Sequence, residues 1–263
     1  MHKTCLTDFL YVKEACATSS KLLVRDIVAW NTLISGYLEH GDGEDALKCL
    51  IQMHQEGVSP NEITYVCCLK ACGGIGAFEE GLEIHADIDR RGLLKEDVAV
   101  GNALIDMYCK LGLLAKAQHV FDELPFRDTI SWNTLIGGYT FHGHANKSLD
   151  CFEQMQSEGI SPDMVTFLCI LRASGDIGAM HRAIEIHTEL KSKGLLCKDM
   201  MLGTALVDMY TRCGMVLKAQ EVHEELPVRD AVSWNALISA YSQRGESHLA
   251  LSCLELMRLE GLS

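Results

Sequence analysis

The apolar residues of this chain recur at the spacing of amphipathic helices. Trp30, Leu33 and Tyr37 lie on one stripe of a helix, and a second stripe of the same kind follows in "EDALKCLIQMHQE". Glycines separate the two stretches. Gly57 then suits a left-handed C-terminal cap, and Pro60 prevents the second helix from continuing. The pattern predicts two helices joined as a hairpin.

The same pattern returns at an interval of 102 residues. "AWNTLISGY" at 29–37 reappears as "SWNTLIGGY" at 131–139 and as "SWNALISAY" at 233–241. Residues 27–61 share 17 identities in 35 with residues 129–163, and residues 98–128 share 16 in 31 with their copies. The sequence therefore contains an internal repeat, which decides the fold class before any other feature.

Each 102-residue unit divides into segments of 35, 36 and 31 residues, because "GNALIDMY" and "GTALVDMY" are variants of the opening "WNTLISGY". Most segments close on an aspartate. The predicted segments are 27–61, 62–97, 98–128, 129–163, 164–199, 200–230 and an incomplete 231–263, after an N-terminal cap or degenerate repeat at 1–26.

A single hairpin of this kind cannot bury its apolar faces, whereas stacked neighbours can. The predicted fold is therefore an all-α solenoid with an extended concave surface. Tetratricopeptide repeats share the hairpin, and three of their 34-residue periods also make 102 residues. No segment here is 34 residues long, however, and a step of 34 from Trp30 reaches Thr64 instead of the matching aromatic Tyr65.

The lengths and the motifs "WNTLI…GY", "GNALIDMY" and "VFDELPFRD" closely resemble pentatricopeptide repeat (PPR) proteins, in particular the plant PLS subclass. The resemblance covers residues 27–263 and implies a right-handed α-solenoid of antiparallel helix-turn-helix repeats. It also implies binding of single-stranded RNA, with one base read per repeat by two or three side chains.

The resemblance assigns the base-reading pair of each repeat to the residue after the tryptophan, or its equivalent, and the last residue of the repeat. An amide presents both a donor and an acceptor to a base edge, and a nearby acid can orient it. The implied readers are Asn31 with Asn61, Asn102 with Asp128, Asn133 with Asp163, Thr204 with Asp230, and Asn235.

Further positions follow from the same resemblance. Small aliphatic residues three places before the readers would flank the base, namely Val28, Ala99, Ile130, Met201 and Val232. By the family's rule of thumb, the site reads C, any, U, U, any, G, pyrimidine from 5′ to 3′. The "any" entries fall on the 36-residue repeats, where Val66 and Leu168 replace the polar reader.

An asparagine near a helix start is often only a cap, and only its recurrence favours base reading here. The three tryptophans share the stripe of Leu33 and Tyr37, so we interpret them as core residues. Lys110 and Arg212, at equivalent positions, are the predicted phosphate contacts. Two cations predict modest affinity and about two released counterions.

Composition narrows the function. The net charge of −13 argues against a bulk polyphosphate binder. The twelve cysteines include no C-x-x-C pair and suit free thiols in a reducing compartment, so neither a metal nor a cofactor is expected. No stretch of 18 apolar residues predicts a membrane span.

No catalytic centre is predicted. Deaminase zinc chemistry needs His-x-Glu followed by Pro-Cys-x-x-Cys. His54, His187 and His223 each begin a His-x-Glu, but they lie in predicted second helices and are interpreted as surface polar residues. The chain is not expected to be an enzyme.

The predicted function is sequence-selective binding of single-stranded RNA that specifies a site for organellar RNA processing, with C-to-U editing implied by the resemblance. The expected partners are editing accessory proteins or a deaminase-bearing protein, and no membrane. The expected location is the mitochondrion or chloroplast, although residues 1–26 show no targeting peptide.

The chain stops inside a repeat, which indicates a fragment or truncated product. A protein-binding scaffold is the main alternative, and an array that binds nothing is the third.

Overall fold

The computed structural model of the protein describes residues 25–196 and 199–262, and every regular element in these ranges is helical. The prediction for residues 1–26 therefore falls outside the described residues except at 25 and 26. The α-helices are α1 Ile27–Glu39, α2 Gly43–Gln55, α3 Glu62–Ile75, α4 Phe78–Arg91, α5 Val98–Lys110, α6 Leu114–Glu123, α7 Thr129–Phe141, α8 Ala145–Ser157, α9 Met164–Asp176, α10 Met180–Ser192, α11 Met200–Arg212, α12 Val216–Glu225, α13 Ala231–Gln243 and α14 Ser247–Leu259. A short 3₁₀ helix, Leu93–Lys95, precedes α5.

The chain forms two compact units, Met1–Gly138 and Tyr139–Ser263, and the boundary between them falls inside α7. In the first unit, α1, α3 and α5 pack side by side as the first helices of successive hairpins. The second helices α2, α4 and α6 each pack against the first helix of their own hairpin. This arrangement places the N-terminal halves of α1, α3 and α5 next to one another.

The second unit repeats this arrangement. Here α9, α11 and α13 are neighbouring first helices, and α10, α12 and α14 are their second helices. Contacts thus run mainly between adjacent helices, which is typical of repeat proteins.

The tryptophans lie in the core. Trp30 and Trp132 are fully buried and Trp234 is 4% exposed, which confirms that they are packing residues. Tyr65 and Phe167 occupy the equivalent position in the 36-residue repeats and are equally buried. Burial of aromatic side chains of this size contributes a large share of the packing free energy.

The residues that close the predicted segments begin the next helix. Their side-chain oxygens accept hydrogen bonds from backbone N–H groups in the first turn, which would otherwise be unsatisfied. The N-cap residues observed are Asp26, Asn61, Asp97, Asp163, Asp199 and Asp230. At the other end of the hairpin, Gly57 has φ +75°, as the predicted left-handed cap requires.

Candidate functional site

The first unit brings two of the predicted reader pairs into direct contact. Asn31 Nδ2 donates a hydrogen bond to Asn61 Oδ1 at 3.1 Å, across 30 residues of sequence. Asn102 Nδ2 donates to Asp128 Oδ1 at 3.2 Å. Each pair joins the first helix of a repeat to the last residue of that repeat, which also caps the first helix of the next repeat.

The second unit contains a third pair of the same kind. Thr204 Oγ1 donates to Asp230 Oδ2 at 3.1 Å. Asn235 is exposed on α13. Asn133 is half-buried on α7 and Asp163 caps α9, but they belong to different units, so their pairing stays a prediction.

The second member of each pair has two roles, because it is also a helix cap. Asn61 Oδ1 accepts from the backbone N–H of Thr64 at 3.1 Å and from Thr64 Oγ1 at 2.9 Å. Asp128 Oδ1 accepts from the backbone N–H of Ser131 at 2.8 Å. Since these bonds fix the cap in place, they also fix the atom that orients the reader.

The charge state of Asp128 follows from its surroundings. Burial alone would raise the pKa of Asp128, but hydrogen bonds from Ser131 and Asn102 outweigh it and bring this pKa below its ordinary value. Asp128 is therefore an anion at neutral pH, and it accepts the amide N–H of Asn102.

Asn102 keeps an unused acceptor. The residue is 8% exposed, and its Oδ1 atom is buried without a hydrogen-bond partner in the described part of the chain. An unsatisfied buried polar atom costs about 1–3 kcal/mol, and a ligand that donates to it recovers part of that cost. The side chain thus carries one acceptor and one N–H donor that no described residue uses.

The predicted flanking residues are exposed apolar side chains. Val28 is 67% exposed, Ile130 62%, Met201 58% and Val232 62%, and the smaller Ala99 is exposed as well. Ile63 and Val165 occupy the same position in the 36-residue repeats, at 57% and 46% exposure. The sequence prediction missed these two because it considered only repeats with a polar reader.

A groove accompanies the first pair. A cavity of about 540 Å³ is lined by Val28 and Ile63 together with both readers, Asn31 and Asn61. An apolar cavity with a few convergent polar groups is the usual form of a ligand site. Planar groups that carry polar edges suit such a surface.

Both predicted phosphate contacts are engaged by carboxylates. Lys110 Nζ lies 2.8 Å from Asp106 Oδ2. Arg212 contacts Asp176 through Nη1, and its Nε lies 3.3 Å from Asp208 Oδ2. All three pairs are partly exposed, so a competing anion can displace them at modest cost.

Two further cations lie on first helices. Lys70 on α3 and Arg172 on α9 are exposed and form no ion pair with any described residue. Each follows the apolar reader of its repeat, Val66 or Leu168, by four residues and so shares its helix face. Sequence reasoning missed them because it compared cations only at the ends of the first helices.

The three His-x-Glu histidines lie in different surroundings. The expectation that they are surface residues is wrong for His223, which is 2% exposed and stacks edge-to-face on Trp234 at 4.3 Å. His187 Nδ1 lies 2.9 Å from Tyr210 Oη, and His54 Nδ1 lies 2.9 Å from the Leu50 carbonyl. No cluster of metal-binding side chains occurs among the described residues.

The cysteines behave as small apolar residues. Cys68 and Cys72 are fully buried on α3. Burial raises the pKa of the Cys72 thiol to about 12, and raises that of Cys68 as well. Such thiols are protonated and unreactive at neutral pH. Of the helices described, none is both long and apolar enough to cross a membrane.

Comparison with known families identifies the repeats. The PPR repeat family matches residues 25–74 and 127–176, and the PPR repeat itself matches 102–128, 204–230 and 232–262. A chloroplastic pentatricopeptide repeat-containing protein of Arabidopsis thaliana is 39% identical over 215 residues, which cover 82% of this chain and 40% of the relative. A mitochondrial one from the same plant is 32% identical over 248 residues, covering 92% of this chain and 41% of the relative. The chain thus spans less than half of these relatives' length, and their names include no enzymatic activity.

Solved structures agree with this result. The pentatricopeptide repeat protein PPR10 from maize superposes with a TM-score of 0.80 at 20% identity, over 98% of this chain and 37% of that one. PPR10 in complex with an 18-nt psaJ RNA element gives a TM-score of 0.77, also at 20% identity, over 97% of this chain and 38% of that one. This similarity confirms the predicted fold class, an all-α solenoid of helical hairpins. With repeat matches over well more than half of its residues, the chain belongs to the pentatricopeptide repeat family.

Proposed function

We propose that this chain binds single-stranded RNA and reads one base with each repeat that carries a polar reader. The observation that supports this most directly is the set of hydrogen-bonded pairs Asn31–Asn61, Asn102–Asp128 and Thr204–Asp230. Each pair joins a residue of the first helix to the last residue of the same repeat, and it recurs at the same place in each of these repeats. Side chains held in this way are pre-organised to discriminate hydrogen-bonding edges.

The chemistry of the pairs supports different base preferences. Asp128 offers only acceptors when ionised, whereas Asn61 brings an amide that can also donate. Uracil carries an N–H at the position where cytosine carries an acceptor nitrogen. An aspartate therefore suits uracil and an asparagine suits cytosine at the same site, in keeping with the preferences that the family resemblance implies.

The flanking positions support a stacked base between successive repeats. Val28 and Ile63 line the same cavity as Asn31 and Asn61. A base stacked on these exposed aliphatic side chains would remove their apolar surface from water, which favours binding. The proposed site is C, any, U, U, any, G, pyrimidine, read from 5′ to 3′ along the chain.

The family and the repeat lengths support a proposal about the wider role. PPR10 was solved with an RNA element, and relatives are named chloroplastic or mitochondrial. We propose that this chain is of the PLS type, acts in one of these organelles and directs RNA processing, C-to-U editing in particular. Editing accessory proteins or a deaminase-bearing protein would then supply the chemistry.

Binding of short RNAs tests this function. Fluorescence anisotropy would compare an unstructured RNA that contains the proposed site with RNAs in which the third base is changed from U to G or the sixth from G to U. We expect each exchange to weaken binding about tenfold, within the range of one mismatched contact.

Equal affinity for all of these RNAs would contradict base reading. If the helical protein retains none of them, RNA binding itself is wrong. That result would favour the protein-binding scaffold, which the acidic net charge also suits.

A further inference from the structure

The second unit contains a cavity where the base-reading chemistry is missing. It measures about 370 Å³ and is lined by Leu168, Arg172, Ala205, Asp208 and Arg212. These residues belong to α9 and α11, two neighbouring first helices. Leu168 stands at the reader position of its repeat and has no polar atom to offer a base. The rest of the lining combines Arg172 and Arg212 with the carboxylate of Asp208 and the apolar Ala205.

Arg172 is the available cation of this cavity. It lies four residues after Leu168, about 6 Å further along the axis of α9 on the same face. It is exposed, and it makes no ion pair or side-chain hydrogen bond with the described residues. An arginine presents five donors in a planar fork that matches phosphate oxygens.

Arg212 approaches the same cavity from α11. Its aliphatic stem crosses α9 at Gly175, where an added Cβ would lie 3.1 Å from Arg212 Cδ. Nη1 is bound by Asp176 and Nε by Asp208, which leaves three of its five N–H donors unused. Two guanidinium groups therefore face one cavity, and one of them is partly neutralised.

We propose that this cavity binds a backbone phosphate of the RNA strand. The proposal rests on the proposed RNA function and extends it, because it gives the 36-residue repeat 164–199 a role that does not depend on the base. Arg172 makes the main contact and Arg212 supports it. A repeat that cannot read a base then still fixes the position of the strand, as phosphate contacts do in general.

Asp176 limits this contact. It competes with the phosphate for Arg212, whereas the equivalent residue 102 positions earlier is Gly74. Asp176→Gly therefore makes this repeat resemble its copy and frees Nη1 of Arg212, while Nε remains paired with Asp208. The same change that removes a negative charge should strengthen binding, while loss of Arg172 should weaken it.

The test combines protein variants with a backbone change in the RNA. The labelled RNA carries the proposed site, and a single neutral methylphosphonate linkage is moved along it. We expect the linkage opposite repeat 164–199 to weaken binding by wild-type protein about three- to tenfold, in the range of one partly exposed ionic contact. For Arg172→Gln we expect the unmodified RNA to bind more weakly than it binds wild type, and the neutral linkage to cause a clearly smaller further loss, because only the supporting contact of Arg212 remains.

Arg258→Gln is the matched control, because it removes one exposed arginine from the second helix α14. It should change affinity less than twofold, and Asp176→Gly should raise affinity. Equal losses for Arg172→Gln and Arg258→Gln, with base selectivity intact, would overturn the phosphate site alone. If wild-type protein does not bind the RNA, the proposed function and the phosphate site both fail.

Discussion

His223 and Phe121 occupy the same place in the two copies of the short repeat, but only one of them can take up a proton. His223 stacks on Trp234 with ring centroids 4.3 Å apart, and Phe121 stacks on Trp132 at 4.6 Å. His223 Nε2 is buried without a partner among the described residues. Burial, aided by Arg229, lowers the pKa of His223, while Glu260, Glu224 and Asp230 oppose this shift.

His223→Phe should therefore stabilise the protein by about 1–2 kcal/mol at neutral pH, because an unsatisfied buried nitrogen is replaced by an apolar ring. The pH dependence should change as well. The unfolded chain takes up a proton on His223 near the ordinary pKa of about 6.5, whereas the folded protein resists it. Wild-type stability thus falls as the pH drops below about 6.5 toward the lowered pKa, and His223→Phe lacks this contribution.

Urea unfolding at pH 7.5 and pH 5.5 measures both effects. Phe121→His is the reverse control and should lose stability, most of all at pH 5.5. His85 and His187 also have lowered pKa values through burial, so some pH dependence remains in both variants. If the free energy of unfolding fell equally on acidification in wild type and in His223→Phe, His223 would not be a source of the pH dependence.

The pairing of the reader residues was predictable at this scale, since the family resemblance names both members of each pair. The ion pairs were not predictable. The contact of Arg212 with Asp176 depends on how closely α11 approaches α9 at Gly175, which no local pattern encodes. The sequence also did not predict that Asn61 is both a helix cap and a reader partner, because either role alone explains an asparagine at this position.

At the scale of the elements, the short repeats compensate for a shorter second helix. α6 and α12 have 10 residues, whereas α2 and α8 have 13. Glycine replaces the core aromatic residue at Gly101 and Gly203, and a leucine after the shortened helix packs there. An added Cβ on either glycine would lie 2.4 Å from Leu124 Cδ2 or Leu226 Cδ2. The 31-residue repeats therefore require glycine at this position, because the leucine that follows the shortened helix fills the space where the longer repeats place an aromatic side chain.

Two adjacent glycines on α3 should respond in opposite ways to substitution by alanine. An added Cβ on Gly74 meets nothing within 4 Å, so Gly74→Ala should gain up to about 0.5–1 kcal/mol from helix propensity. On Gly73 it would lie 3.3 Å from Met107 Cα and 3.1 Å from Lys110 Cδ, so α5 must shift. Gly73→Ala should be less stable than Gly74→Ala by about 1 kcal/mol or more.

Thermal unfolding of the two variants and of wild type under one buffer condition measures this difference. Equal stability of Gly73→Ala and Gly74→Ala would show that α3 and α5 do not approach each other as closely as the structure indicates.

At the scale of the whole molecule, the helical hairpins and their period follow from the sequence, because apolar spacing and capping residues are local signals. The division into two units at Gly138 and Tyr139 was not predictable, since it reflects the density of contacts and not a motif. The distribution of charge over the molecule was also not predictable without the bounds of the helices. The net charge is −13, and the first helices carry both signs: the cations are Lys70, Lys110, Arg172 and Arg212, and the acids are Glu39, Glu62, Asp106, Asp176 and Asp208.

The internal repeat offers a test of base reading that leaves composition and charge unchanged. Asn102 and Thr204 are equivalent residues, each hydrogen-bonded to the aspartate that closes its own repeat. The double variant Asn102→Thr/Thr204→Asn exchanges them. The measurement is the affinity of wild type and double variant for two RNAs, one with U at the third and G at the sixth position and one with these two bases exchanged. We predict that wild type binds the first RNA about tenfold or more tightly and that the double variant prefers the second. The same preference in both proteins, or none in either, would contradict the claim that these pairs read the bases.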